Sequence, residues 1–369
     1  LRKVVLRNVM PNPLEEILMR QIAQHGPMDV GQFMATALGH PEYGYYMTRD
    51  PFGPAGDFVT APEVSQLFGE MIGVWAADVW MQMGAPARFV LLECGPGRGT
   101  LMADILRATR GVSGFSAAAQ VCLLEMSPVL RKMQARALDG VDVRWCDSLT
   151  DVPEGAPVIV IGNEFLDALP FRALQKGVDG WGERVVAAGY DGLEFAVRPA
   201  GRELSDALPF HVRGSSVGTV YEVAPAREGF VAAVASRVEV HGGAALFVDY
   251  GHMQSTAGDT FQAVKGNEFA DVLDAVGEAD LTSHVDFEEL VRGVGEAVTV
   301  HGPVTQADFL KALGIEIRAQ KLLAGADSKQ GAELQKGLHR LISSGEMGQL
   351  FKVLCLSADH GSSIKPCGF

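Results

Sequence analysis

Cysteine is scarce in this chain and shows no pairing pattern. Cys94, Cys122, Cys146, Cys355 and Cys367 form an odd set without a CxxC spacing, which excludes a disulfide framework and a cysteine zinc site as organising features, and no metal is expected. The first three fall in apolar runs or at their ends, where thiols act as small core residues. Also missing is any run of about 18 apolar residues, so no membrane insertion is expected. Leu1 to Met10 carries charges but no apolar core or cleavage pattern of a secretory signal, which leaves a cytoplasm, or an organelle matrix after loss of a transit peptide, as the expected compartment. No cluster of Lys and Arg offsets the net charge of −14, so nucleic acid is not an expected partner. The same acidity suits a basic peptide segment, although many soluble enzymes are equally acidic. At 369 residues the chain has ample length for one large core and a second structural region.

What the chain does have is concentrated between residues 88 and 101. There Arg-Phe-Val-Leu-Leu-Glu-Cys-Gly-Pro-Gly-Arg-Gly-Thr-Leu runs an apolar strand into Glu93 and the alternate glycines Gly95, Gly97 and Gly99. Glycines at such a turn let the backbone approach a ligand that a Cβ would hold off, and the following helix aims its N-terminal amides at the same place. The spacing is neither GxGxxG nor a phosphate loop ending in Gly-Lys-Ser/Thr. It resembles the first motif of the class I S-adenosylmethionine-dependent methyltransferases, while glycine-rich turns are also ordinary punctuation between strand and helix.

Three further apolar runs end in polar residues. Val121 to Leu124 leads to Glu125, placed to accept hydrogen bonds from ribose hydroxyls if the run is the second strand of a doubly wound sheet. Val141 to Trp145 leads to Asp147 and Ser148, where an adenine amino group would lie. Taken singly, Glu125 and Asp147 also read as solvated strand ends. Val158 to Ile161 delivers Gly162-Asn163-Glu164-Phe165-Leu166-Asp167-Ala168-Leu169-Pro170. In open α/β sheets the ligand crevice lies beyond such strand ends, so Asn163 and Glu164 would face a reacting centre. Both also suit a helix cap, and Asp167 a first helical turn.

Gly56-Asp57-Phe58-Val59-Thr60-Ala61-Pro62-Glu63-Val64-Ser65, the glycine loop, the Asn163 block, Val248-Asp249-Tyr250-Gly251 and Leu281-Thr282-Ser283-His284-Val285-Asp286-Phe287 occur in that order. Together they are similar to the signature blocks of the MidA-like family, whose members include a mitochondrial complex I assembly factor that is a protein arginine methyltransferase. The resemblance runs from about Pro13 to about Leu356. It implies an α/β fold of the class I methyltransferase (Rossmann-like) type: a mostly parallel seven-stranded sheet with helices on both faces, an N-terminal helical region and an inserted α+β substrate region. It implies S-adenosyl-L-methionine as cofactor, held by Glu93, Gly95, Gly97, Gly99 and Glu125, with Asp147 and Ser148 near its adenine and Asp57 added from the first block. Asn163, Glu164 and Asp167 are the implied catalytic residues, and Asp249, Tyr250 and His284 the substrate-binding ones. His284 reads equally as a hydrogen-bonded structural histidine before a helix. Other arginine methyltransferases grip the guanidinium with a pair of glutamates, which Glu164 and Asp167 echo only in part. The implied acceptor is a protein, a complex I subunit or an assembly partner; a cofactor-binding assembly chaperone without turnover and a small-molecule methyltransferase stay open as alternatives.

The expected organisation is an N-terminal helical region with a lid-like loop (1–85), the first half of the cofactor-binding core (86–170), an inserted substrate-recognition region (171–242), the second half of the core with a further insertion (243–356) and a flexible tail (357–369). Leu14, Ile17, Leu18 and Ile22 fall at helical spacing, and this region is expected to pack on the sheet. Residues 39 to 60 are rich in Gly, Pro and Tyr, as a binding loop would be. Arg172 to Arg198 alternates like two strands around Tyr190-Asp191-Gly192, a hairpin whose free edge could pair two copies into a homodimer.

Overall fold

In a computed structural model of the protein, which describes residues 12–51, 60–296, 298–358 and 364–369, the apolar run before the glycine loop is strand β1 (Phe89–Cys94), buried along its whole length. Continuous burial of this kind belongs to a strand covered on both faces. Parallel to it lie β2 (Ala119–Leu124), β3 (Val143–Cys146) and β4 (Val158–Asn163). β5 (Gly243–His252) adds in parallel beside β4. The last strands, β6 (Thr299–Thr305) and β7 (Phe351–Ala358), complete the order β3-β2-β1-β4-β5-β7-β6, with β7 antiparallel to both neighbours. The expected seven-stranded, mostly parallel sheet is therefore present, extended at the far end of β5 by the short strand Val285–Asp286. Strand order reverses between β1 and β4, and in such sheets the crevice opens at the carboxyl ends of those two strands.

Helices cover both faces. The N-terminal pair, α1 (Pro13–His25) and α2 (Val30–Gly39), start on Asn12 and Asp29, whose side chains accept the amides of Leu14 and Gln32. Their apolar stripes do not lie on the large sheet as expected. Leu14, Leu18, Phe33 and Met34 share a core with Phe171, Ala173, Val186 and Val220 of the inserted region, and Met28–Asp29 pairs as a short strand with Val185 and Val186. A helical stripe specifies that one face is buried and is silent about the partner. One face of the large sheet is covered by α3 (Gln66–Gln82), which buries Trp75 and Trp80, and by α4 (Thr100–Ala108). α5 (Pro128–Ala137) follows β2, capped by Ser127 with proline at its start. On the opposite face α6 (Pro225–His241), which buries Val231, Val234 and Val238, packs against β4, β5 and β7.

The inserted region differs from the expected hairpin by one strand. Trp181–Ala188 and Leu193–Pro199 do form a hairpin around residues 189–192, but Arg172–Lys176 is a separate strand, turned at Gly177, whose amide bonds Gly180. With Val220–Val223 and Met28–Asp29 they make a five-stranded sheet. The excursion after β5 forms a three-stranded sheet of Gln262–Lys265, Glu268–Ala270 and Asp280–Thr282. The tail expected to be flexible is partly ordered by packing. β7 runs to Ala358, Ile364 is buried, the Cys367 amide bonds Asp78, and Phe369 lies against Phe309.

Candidate active site

At the carboxyl ends of β1, β2, β4 and β5 opens a cavity of about 1010 Å³. Its first half is built by the glycine loop. Gly95, Gly97 and Gly99 all have positive φ, at 63°, 52° and 85°, a region costly to other residues. A Cβ on Gly95 would lie 2.8 Å from the Phe165 ring. The Gly97 carbonyl accepts from the Gln134 amide at 2.8 Å, and Arg98 ties the loop to Asp50 through a two-nitrogen fork. Glu93, only 3% exposed, lines this half with its Oε2 unpartnered, and burial with the nearby Glu125 charge pushes its carboxyl up to about 8.

Glu125 also lines the cavity and is held in place by its neighbours: Oε1 accepts the Ser127 amide at 2.7 Å and Oε2 the Gln134 side chain at 3.1 Å. Each oxygen keeps a lone pair for a ligand donor. Asp147 and Ser148 reach the cavity at its rim, where Asp147 pairs with Arg131 and the Ser148 hydroxyl bonds Asp151. Asp57 lies outside the described residues.

The second half begins at the end of β4. Glu164 adopts the left-handed conformation at φ 49°, uncommon for a side-chain-bearing residue and characteristic of functional sites. Its Oε1 accepts the Ala61 amide at 3.0 Å and the Asn163 side chain at 3.2 Å. Burial pushes its carboxyl up to about 7, Asp167 adding to the effect. Asn163 and Asp167 are buried, line the cavity, and each keep Oδ1 without a partner. Tyr250 lines the cavity, and its ring stands edge-on to His284, 5.4 Å between centroids. His284 lines the cavity, and burial lowers its pKa, so it is a neutral imidazole at pH 7.

Asp249 is a correction to the expected substrate set. It is buried and outside the cavity lining. Its Oδ2 accepts the amides of Phe165, Leu166 and Asp167, and its Oδ1 that of Tyr250. Asp249 thus fixes the loop that carries Glu164 and Asp167, and it is Tyr250 that lines the cavity.

Two contributors went unread in the sequence. Arg227, 2% exposed in the first turn of α6, donates to the carbonyls of Asp167, Leu169 and His284 and to the Ser283 hydroxyl. It joins the loops after β4 and before Val285. Asp280, 5% exposed, lines the cavity and accepts the Tyr46 hydroxyl at 2.7 Å. An arginine in a helix's first turn and an acid in a polar excursion ordinarily face solvent, so neither carried a signal.

Among the described residues, seven with carboxyl groups line the cavity, namely Glu63, Glu93, Glu125, Asp147, Glu164, Asp167 and Asp280, against one arginine, Arg98. Among the described lining residues, Asn163 Oδ1 and Asp167 Oδ1 are buried acceptors without a partner, and Glu93 Oε2 is the unpartnered oxygen of a carboxyl that holds its proton to about 8. Such a chamber fits donor-rich, cationic ligands, since a buried acceptor without a donor costs about 1–3 kcal/mol.

The raised carboxyls carry a stability signature. Folded Glu93 and Glu164 hold protons to about 8 and about 7, whereas unfolded glutamate releases them near about 4.3. Their contribution to stability is fully present below the unfolded value and is lost as pH rises through the folded ones. Between about pH 6 and about pH 9, melting of the ligand-free protein is expected to move down relative to Glu93→Gln, by the equivalent of a few kcal/mol. Parallel melting curves for the two proteins would show that Glu93 is ionised throughout.

Comparison with known proteins agrees with this geometry. A family model of S-adenosyl-L-methionine-dependent methyltransferases matches residues 71–304. "Protein arginine methyltransferase NDUFAF7, mitochondrial" of Xenopus tropicalis is 38% identical over 92% of this chain and 85% of its own length. The homolog of that protein in Caenorhabditis elegans is 36% identical over 94% and 86%. Among solved structures, a protein from Burkholderia thailandensis bound to S-adenosyl-homocysteine superposes with a TM-score of 0.84 at 30% identity, covering 98% of this chain and 97% of that one.

Proposed function

Because the chain belongs to the MidA-like family of S-adenosyl-L-methionine-dependent methyltransferases, we propose that its acceptor is a terminal nitrogen of an arginine in a protein. The observation that carries this reading is the acid-rich chamber beside the cofactor half, where Asn163 Oδ1 and Asp167 Oδ1 are buried without donors. A guanidinium offers five donors and a fixed positive charge, and matches such a site better than a hydroxyl or a neutral amine.

S-adenosyl-L-methionine, when bound, supplies an electrophilic methyl group on a sulfonium. The chain's residues supply orientation and proton removal. The glycine loop and Glu125 hold the cofactor, Glu93 meets its amino end, and Asp147 with Ser148 borders the adenine side. Asp167 and Asn163 orient one guanidinium nitrogen by charge-assisted hydrogen bonds. Glu164, with a carboxyl already raised to about 7, accepts the proton that nitrogen loses as its bond to carbon forms. A raised base is better matched to a guanidinium, whose own pKa exceeds about 12.

A subunit of respiratory complex I, or an assembly partner of it, is the acceptor protein that the family resemblance brings to this chain. The relatives are named mitochondrial, and we place the activity in a mitochondrial matrix or, for a bacterial chain, the cytoplasm. Among the described residues no helix is long and apolar enough to cross a membrane. Pairing of two copies through the outer strand Leu193–Pro199, which among the described residues neighbours only one other strand, is part of the proposal, and the mass by sedimentation reads it out.

Calorimetric titration with S-adenosyl-L-methionine comes first. Glu125→Ala is expected to weaken binding about tenfold or more, the worth of a pair of hydrogen bonds to a carboxylate, and Gly97→Val, forced to adopt φ 52°, to abolish it. Methyl-labelled cofactor incubated with the enzyme and a candidate acceptor extract should then place label in N-methylarginine after hydrolysis. Label in a small molecule, or cofactor binding without transfer to any acceptor, would overturn the arginine reading.

A further inference from the structure

The acceptor half of the cavity is roofed by the three-stranded sheet of Gln262–Lys265, Glu268–Ala270 and Asp280–Thr282. Alternation along its strands divides the side chains. Ala263 and Leu281 sit in the core that holds α2, whereas Gln262, Val264, Phe269, Asp280 and Thr282 line the cavity. Val264 pairs with Phe269 on one side and Asp280 on the other. One transverse row therefore runs from Phe269, 81% exposed, through Val264 to Asp280, 5% exposed. It passes from open and apolar to deep and anionic over two strand spacings, roughly 10 Å, a span that suits a long unbranched side chain. At its deep end Asp280 accepts the Tyr46 hydroxyl, whose pKa is held well above its ordinary value by burial first, with the Asp280 and Asp167 charges adding, and both carboxyls line the same cavity.

Resting on the arginine reading above, we propose that this sheet is the acceptor-recognition element of the enzyme. The acceptor arginine enters beneath Phe269, lays its methylenes along Val264, and brings its guanidinium between Asp280 and Asp167. Residues flanking the arginine in the acceptor chain rest on Phe269. Asp280 thereby supplies a second carboxylate from a different part of the chain than Glu164 and Asp167. Lysine is disfavoured because its three donors radiate from one nitrogen, whereas the planar guanidinium spreads five donors over three nitrogens and reaches acceptors on several sides.

The test uses the full chain saturated with S-adenosyl-homocysteine and two blocked probes, the peptide Gly-Gly-Arg-Gly-Gly and N-acetyl-arginine amide, each with its lysine counterpart, followed by ligand-observed NMR. Wild type is expected to bind both arginine probes at least tenfold more tightly than the lysine ones. Asp280→Asn should weaken both arginine probes about tenfold with S-adenosyl-homocysteine affinity unchanged, which also reports that the variant is folded. Phe269→Ala should weaken the peptide several-fold and leave the single-residue probe unaffected. Wild-type binding that neither variant alters would overturn the role of this sheet while leaving the arginine reading standing. Equal binding of lysine, or no binding of either arginine probe to wild type, would overturn both.

Discussion

Glu164→Gln is expected to lower methyl transfer by about 10²- to 10⁴-fold, the range for loss of a positioned base, while cofactor affinity changes little. Glutamine keeps the size of the side chain and an oxygen for the Ala61 amide, so the left-handed turn at φ 49° has no new reason to move. What disappears is the capacity to take a proton. In wild type, kcat/KM should rise with pH through about 7, because the carboxyl pushed up to about 7 must ionise before it can serve as a base. The residual activity of Glu164→Gln should lack that limb. Near-wild-type turnover with the pH dependence intact would assign Glu164 to the support of the turn at Ala61 and move the base elsewhere.

Arg227→Met should be the most damaging single change to the fold away from the cofactor loop, costing about 3–5 kcal/mol, as removal of one member of a buried charged network does. The guanidinium donates to three carbonyls and a hydroxyl and is the buried cation whose charge acts on Asp167 and Asp249. Methionine fills most of the volume but leaves those carbonyls without donors and those carboxyls without compensation. Urea unfolding at constant m-value measures the loss. Arg227→Lys should recover only part of it, because one ammonium cannot reach both loops in the same geometry. A change below about 1 kcal/mol would mean that the two loops are held by packing alone.

The fold was legible wherever one local pattern carried it. Four apolar runs, each ending in a polar residue, with a glycine loop after the first, specified β1 to β4 and the side on which the crevice opens. The site was legible to the same depth: Glu93, Glu125, Asn163, Glu164 and Asp167 all line the cavity because each stands at or just past a strand end. Asp249 and Tyr250 show where that reasoning stops. Adjacent residues on an extended strand point to opposite sides, so the two could not both face the ligand, and only the surrounding amides decide which turns inward. Asp280 and Arg227 were unreadable for another reason. Their roles depend on contacts with Tyr46 and with residues 167–169, distant in sequence, and no periodicity records such a meeting. The docking of α1 and α2 on the inserted sheet escaped notice on the same grounds.

Tyr46 touches both halves of the cavity at once. Its carbonyl accepts the Ser127 hydroxyl at the start of α5, two residues from Glu125, and its hydroxyl donates to Asp280 in the roof. If a residue held at both ends in this way links occupancy of the two chambers, thermodynamic reciprocity applies: whatever factor the cofactor applies to acceptor affinity, the acceptor applies to the cofactor. The short helix Tyr45–Thr48 is thus the one-turn bridge through which such a coupling would pass, equally in both directions.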